Sequence, residues 1–128
     1  MEVIKDVAGA PAPVGAYSPA TKASGLVFCA GQIALDPATG KLVAGGVAEQ
    51  TKRVLDNLSA VLEAAGSDWS SVLMSTIFLA DIGSAPEVNA LYGAMVNVEA
   101  APARQTLAVK DLPLGALVEI SLIAESRS

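Results

Sequence analysis

The chain has 128 residues, 52% of them apolar and only 16% charged, enough for one hydrophobic core and too few for two, so a single domain over residues 1–128 is expected. Eight lysines and arginines against thirteen acids give a net charge of -5, which leaves no electrostatic footprint for a phosphate backbone or an anionic lipid surface and makes nucleic acid a poor candidate partner. No apolar run approaches the roughly 18–20 residues of a membrane span, and Met1-Glu2-Val3-Ile4-Lys5 lacks the basic-then-apolar layout of a secretion signal, so a cytoplasmic protein is expected.

Residues 8–19 carry Pro11, Pro13 and Pro19 with glycines at 9 and 15, cannot hold a regular helix, and read as a loop. Leu26-Val27-Phe28-Cys29-Ala30 reads as a buried strand ending at Gly31. Cys29 is the single cysteine, so no internal disulfide can form, and its apolar neighbours suggest an inert core thiol rather than a nucleophile. Asp36-Pro37-Ala38-Thr39-Gly40 is a turn that predicts a hairpin between residues 32–35 and 41–43.

From Val47 to Ala65 apolar or small residues recur every three or four positions, which predicts an amphipathic helix closed by Gly66. Val72 to Ala80 reads as a central strand. Ser84-Ala85-Pro86-Glu87 places a capping serine and an early proline ahead of Val88, Leu91, Tyr92 and Met95, the start of a second helix. Arg104 to Val109 and Leu117 to Ala124 are two further strands, separated by the Leu112-Pro113-Leu114-Gly115 turn. In the last strand Glu119 and Ser121 share a face with Leu117 and Ile123, opposite Val118, Ile120, Leu122 and Ala124. The element order predicts an α+β sheet with both helices packed on one face. Its other face must be covered by something outside the monomer, as the low charge content also suggests: an average soluble domain is roughly 25% charged.

Two charged residues stand out in apolar surroundings. Between Asn89 and Val109 the only charges are Glu99 and Arg104. A guanidinium in Ala101-Pro102-Ala103-Arg104-Gln105-Thr106-Leu107 needs an anionic partner, and its planar fork suits a carboxylate, from a ligand or from the protein itself. Glu119 is a carboxylate in the middle of an apolar strand; burial would raise its pKa and a nearby arginine lower it, and the sequence leaves both open. Histidine is absent, which removes the commonest general base and the commonest zinc ligand.

Gly15-Ala16-Tyr17-Ser18, Ala30-Gly31-Gln32, Glu49-Gln50 with Asn57-Leu58, Ala64-Ala65-Gly66, Val88-Asn89 with Tyr92, Pro102-Ala103-Arg104, Leu112-Pro113 and Val118-Glu119-Ile120 follow one another in the order and spacing of one family. Over nearly its whole length the chain resembles the reactive intermediate deaminase (Rid, YjgF) family, also known as the L-PSP endoribonucleases. The resemblance implies a chorismate-mutase-like α+β fold assembled as a homotrimer with three ligand clefts at subunit interfaces. It implies an enzyme that hydrolyses enamine and imine acids such as 2-aminoacrylate and 2-iminopropionate to 2-keto acids and ammonia, without metal or cofactor. Small imine or keto acids would be its partners.

Carried over residue by residue, Arg104 matches the arginine that grips the substrate carboxylate, Tyr17 the loop tyrosine lining the cleft, and Glu119 the glutamate assigned to water or proton handling. Gly31 and Asn89 match the cleft wall. Each has a plainer reading: an internal salt bridge for Arg104, a hydrogen-bonded buried acid for Glu119, a loop-pinning hydroxyl for Tyr17, close backbone approach for Gly31, a helix or loop hydrogen bond for Asn89. Ala30 stands where many members have serine and Thr106 where many have cysteine. Met95, Val96 and Ala101 fall where aromatic residues commonly shape the cleft. These departures leave carboxylate binding intact, with the Thr106 amide and hydroxyl as further donors, and bear on which side chain is accepted. Two competing functions remain: a non-catalytic carboxylate-binding or chaperone-like protein, and an endoribonuclease, which the missing histidine and the negative charge disfavour.

Overall fold

A computed structural model describes residues 1–127. Six strands form one sheet: β1 (Glu2–Ile4), β2 (Ala20–Ala23), β3 (Leu26–Gln32), β4 (Val72–Leu79), β5 (Ala103–Ala108) and β6 (Val118–Glu125), in spatial order β1-β2-β3-β6-β4-β5. Neighbours are antiparallel except β4 and β5. That parallel pair needs a crossover, which helix α2 (Ala85–Gly93) supplies. Because β3 and β4 both run antiparallel to β6, they are parallel to each other, and helix α1 (Val47–Ala64) is a second crossover with β6 inserted between its two strands.

Helix α1 forms where the apolar period predicts it. It buries Val54, Leu58, Val61 and Leu62 completely, each worth about 1.5–3 kcal/mol of transfer free energy. At its start the Glu49 carboxylate accepts from the Gly46 amide at 2.8 Å. At its end Gly66 takes φ 75, and the Gly66 and Ser67 amides donate to Glu63 O and Leu62 O. This double bond is a Schellman closure that no basic residue assists.

The sheet is covered on one face only. Val27, Cys29, Ile77, Leu79, Val118, Ile120 and Leu122 are buried in the same apolar cluster as the inward residues of α1 and Val88 of α2. The alternate residues of the same strands make up the other face: Phe28 pairs with Ile123, Thr76 with Ser121, and Phe78 with both Glu119 and Leu107. Phe28 and Leu107 are 42% and 39% exposed. The strand predicted as buried over residues 26–30 is therefore buried at every second residue, because no layer covers its second face among the described residues.

Other expectations shift in detail. The hairpin predicted around Asp36–Gly40 is reduced to a single Leu35–Leu42 bridge, with Asp36 Oδ1 accepting from the Ala38 amide to shape the turn. Ser84 does not cap α2 with its side chain. A short 3-10 turn, Ile82–Ser84, precedes the helix, and Asp81 accepts from the Gly83 amide at 2.9 Å, so the acid three residues earlier takes the capping role. Strands β1 and β2 were not legible as strands; β2 turns directly into β3 through Ser24 and Gly25, both at positive φ. Among the described residues no helix is long and apolar enough to cross a membrane.

Candidate active site

Glu119 leaves β6 on the open face, opposite Phe78 of β4. Its carboxyl lies across Gly31: a Cβ built at residue 31 would overlap Glu119 Oε2 and Cδ. Glycine is needed there for this close approach, not for a special backbone angle. The register between β3 and β6 slips between Cys29 and Gln32, so one extra residue on β3 bulges beneath the glutamate. Half-burial pushes the Glu119 carboxyl above the ordinary carboxylate range, with no arginine acting against it among the described residues. The residues around it form a cavity of about 620 Å³ whose walls include Ala30, Gly31, Tyr17, Pro13, Val14 and Leu114.

Two buried amide side chains of α1 hold this cavity's frame. Gln50 accepts from the Leu117 amide at 2.9 Å, fixing the entry to β6. Asn57, wholly buried, donates to Ile33 O and Leu35 O and accepts from Arg53 Nε. Tyr17 is 48% exposed on the proline-rich loop, its hydroxyl accepting from the Val14 amide at 3.4 Å. Leu114, 66% exposed at φ 58, stands at the opposite wall in a left-handed conformation that leucine rarely adopts.

Arg104 sits elsewhere. On β5 it pairs with Ser75 of β4, and Ser75 is buried on the helix-covered face. Ser75 and Phe78 are three residues apart on one strand, so Arg104 and Glu119 point to opposite faces of the sheet. Arg104 Nη1 donates to Asn89 Oδ1 of α2, and its guanidinium lies over the Tyr92 ring, 5.3 Å from the centroid. Among the described residues no carboxylate pairs with it. The anionic partner expected from the sequence is thus not found among the described residues, and a neutral amide and an aromatic face stand in its place.

Recesses open on both sides of this arginine: one of about 260 Å³ bounded by Asn89, Thr106, Val88 and Pro86, the other of about 380 Å³ bounded by Tyr92, Val96, Val98, Ala101 and Pro102. Of the three positions read as cleft-shaping departures, Val96 and Ala101 line the second recess, while Met95 packs against the core. The Val109 amide donates to Leu79 O at 2.9 Å, so alternation along β5 turns the Thr106 amide away from β4, toward the free edge of the sheet.

The sequence-predicted residues therefore gather in two groups. Tyr17, Ala30, Gly31 and Glu119 meet in one cavity, and Arg104, Asn89 and Thr106 meet in another. Tyr92 was not singled out for the site, although its i,i+3 spacing from Asn89 puts both on one helix face. Cys29 is buried and its thiol is pushed up to about 12 by desolvation, in keeping with an inert core residue. Among the described residues no group of three or more His, Cys, Asp or Glu side chains is placed to hold a metal ion.

Residues 7–126 match the family described as Endoribonuclease L-PSP. A RutC family protein of the cyanobacterium Synechocystis is 47% identical, covering 97% of this chain and 95% of that protein. The rat 2-iminobutanoate/2-iminopropanoate deaminase is 44% identical over 90% of this chain and 83% of its own. The crystal structure of YyfA, a Rid-family protein from Yersinia pestis, superposes with a TM-score of 0.92 at 40% identity, covering 97% of this chain and 98% of that one. The chain belongs to the reactive intermediate deaminase family, the family its motifs resemble.

Proposed function

We propose that this protein hydrolyses small enamine and imine acids, such as 2-aminoacrylate, 2-iminopropionate and 2-iminobutanoate, to the 2-keto acid and ammonia, in clefts formed where two copies of the chain meet in a homotrimer. The observation that carries this reading is the division of the polar groups: a guanidinium with no carboxylate partner among the described residues on one face, and a partly desolvated carboxyl over Gly31 on the other. Neither is sufficient alone. The exposed apolar residues Phe28 and Leu107 supply the surface a second copy would cover.

In such a cleft Arg104 of one copy grips the substrate carboxylate through its remaining donors, assisted by the Thr106 amide. Asn89 bounds the same recess, and Ala30 and Gly31 of the other copy form the facing wall. The imine carbon is already electrophilic, so orientation, a water and a proton are what the protein must supply. A raised pKa keeps Glu119 protonated to higher pH than an exposed glutamate, and it donates to the imine nitrogen as water adds to C2, then recovers a proton from the added water to leave a neutral carbinolamine. Glu119 next protonates the amino nitrogen, and its carboxylate takes the proton of the new hydroxyl as the C–N bond breaks. C2 becomes a ketone, nitrogen leaves as ammonia, and Glu119 is protonated again. Tyr17 closes the cleft from its loop. The names of relatives such as the rat deaminase support this chemistry.

The test is ammonia release from 2-aminoacrylate generated in place by a dehydratase, with semicarbazide trapping of the imine as a second readout. Arg104→Ala should abolish turnover without loss of assembly, Glu119→Ala should slow it by about 10²-fold or more, and Tyr17→Phe should have a mild effect. A wild-type protein that binds pyruvate but releases no ammonia would instead make it a carboxylate-binding protein. RNA cleavage that survives repurification in chelator and disappears in Glu119→Ala would establish the endoribonuclease reading.

A further inference from the structure

We infer that Tyr92 is a positioning residue for Arg104: its ring is a fixed platform that presents the guanidinium, still charged and only partly hydrogen-bonded, to a ligand carboxylate. This rests on the proposed role of Arg104 as carboxylate anchor and adds how the anchor is held. An arginine on an exposed edge strand has many rotamers, and ordering it only when ligand arrives would weaken binding. A carboxylate partner within the chain would order it but cancel its charge. A ring face does the first without the second.

The platform itself is immobilised by burial and by two contacts. Tyr92 is 3% exposed. Its hydroxyl lies 2.6 Å from Ser75 Oγ, a wholly buried group on β4 in the position paired with Arg104. Its ring meets Trp69 edge to face, with centroids 6.3 Å apart and planes at 83°. Trp69 in turn donates its indole N–H to Ser59 Oγ of α1 at 2.8 Å. The guanidinium thus rests on a ring tied to both β4 and α1. Asn89, one turn earlier on α2, takes Nη1 and sets the rotation of the fork in its plane.

The experiment is calorimetric titration of pyruvate, a stable carboxylate, into the wild type, Arg104→Ala, Tyr92→Phe, Tyr92→Met, and the Arg104→Ala/Tyr92→Met double variant. Methionine fills much of the same space without a ring face. Tyr92→Phe should keep Kd within about twofold, and Tyr92→Met should weaken it about fivefold, the upper end for an exposed cation–π contact. In the Arg104→Ala background the methionine change should add nothing, which a general loosening of the fold would not reproduce. Wild-type affinity in Tyr92→Met, or equal losses in the phenylalanine and methionine variants, overturns the inference while leaving Arg104 as the anchor. Failure of the wild type to bind pyruvate, or undiminished binding by Arg104→Ala, overturns the anchor and the platform together. If Tyr92→Met does not fold, Tyr92→Phe decides: a lower melting temperature from the orphaned Ser75 hydroxyl with an unchanged Kd supports the platform, and a Kd that weakens with stability overturns it.

Discussion

Gly31 and Glu119 are one unit, since any side chain at 31 would occupy the volume of the carboxyl. Gly31→Ala should therefore act as a Glu119 variant in disguise. Activity should drop by about tenfold or more, while the thermal melt stays near wild type because the backbone at 31 is open to alanine. An equally active Gly31→Ala enzyme would mean that the carboxyl does not work from this position. The raised pKa of Glu119 gives a second prediction. With the substrate carboxylate neutralising the arginine, desolvation governs its titration in the complex. As a proton donor Glu119 is active when protonated, so kcat should be highest below its raised pKa and fall as pH rises through it. A profile of kcat against pH for wild type and Glu119→Gln tests the sign: the falling limb should vanish in the glutamine variant, and a wild-type kcat that rises over the same range would assign the ionised form instead. At this scale the sequence was informative about the odd charges, Arg104 and Glu119, because a charge in an apolar stretch must be accounted for. It was silent on Tyr92, whose aromatic ring reads as ordinary core until Arg104 is seen lying on it.

The elements that carry these residues were legible to the extent that periodicity marks them. Helix α1 and strands β4 and β6 show clear apolar patterns and lie within a residue or two of their predicted bounds. Strands β1 and β2 do not, because strands of three and four residues offer no period long enough to detect. The Ser84 cap failed because Asp81 forms an earlier 3-10 turn, so the chain is already helical at the serine. Polar residues inside α1 were the least conspicuous functional feature. Asn57 looks like a break in the apolar stripe, yet it holds the carbonyls of Ile33 and Leu35 below the Glu119 cavity. Asn57→Ala should leave the buried Leu35 carbonyl without its side-chain donor, the Ile33 carbonyl keeping the Leu35 amide, and cost about 2 kcal/mol, read as a lower urea midpoint at unchanged slope. A change within about 0.5 kcal/mol would show that water replaces the amide.

For the whole molecule, the low charge content and the one-sided helix layer predicted from the sequence both point beyond the monomer. What the sequence could not show is that the candidate residues fall on opposite faces of one sheet, because that depends on the parallel addition of β5 outside β4. The same topology makes the division testable. Arg104→Ala and Glu119→Ala, each inactive or nearly so as a pure protein, should recover activity when co-expressed and purified as mixed assemblies. Random mixing leaves about a quarter of interface clefts with both groups intact. Ammonia release near that fraction of wild type, from two variants that show almost none apart, is the predicted result. Mixed assemblies no more active than the average of the two pure variants would contradict a cleft built from two copies.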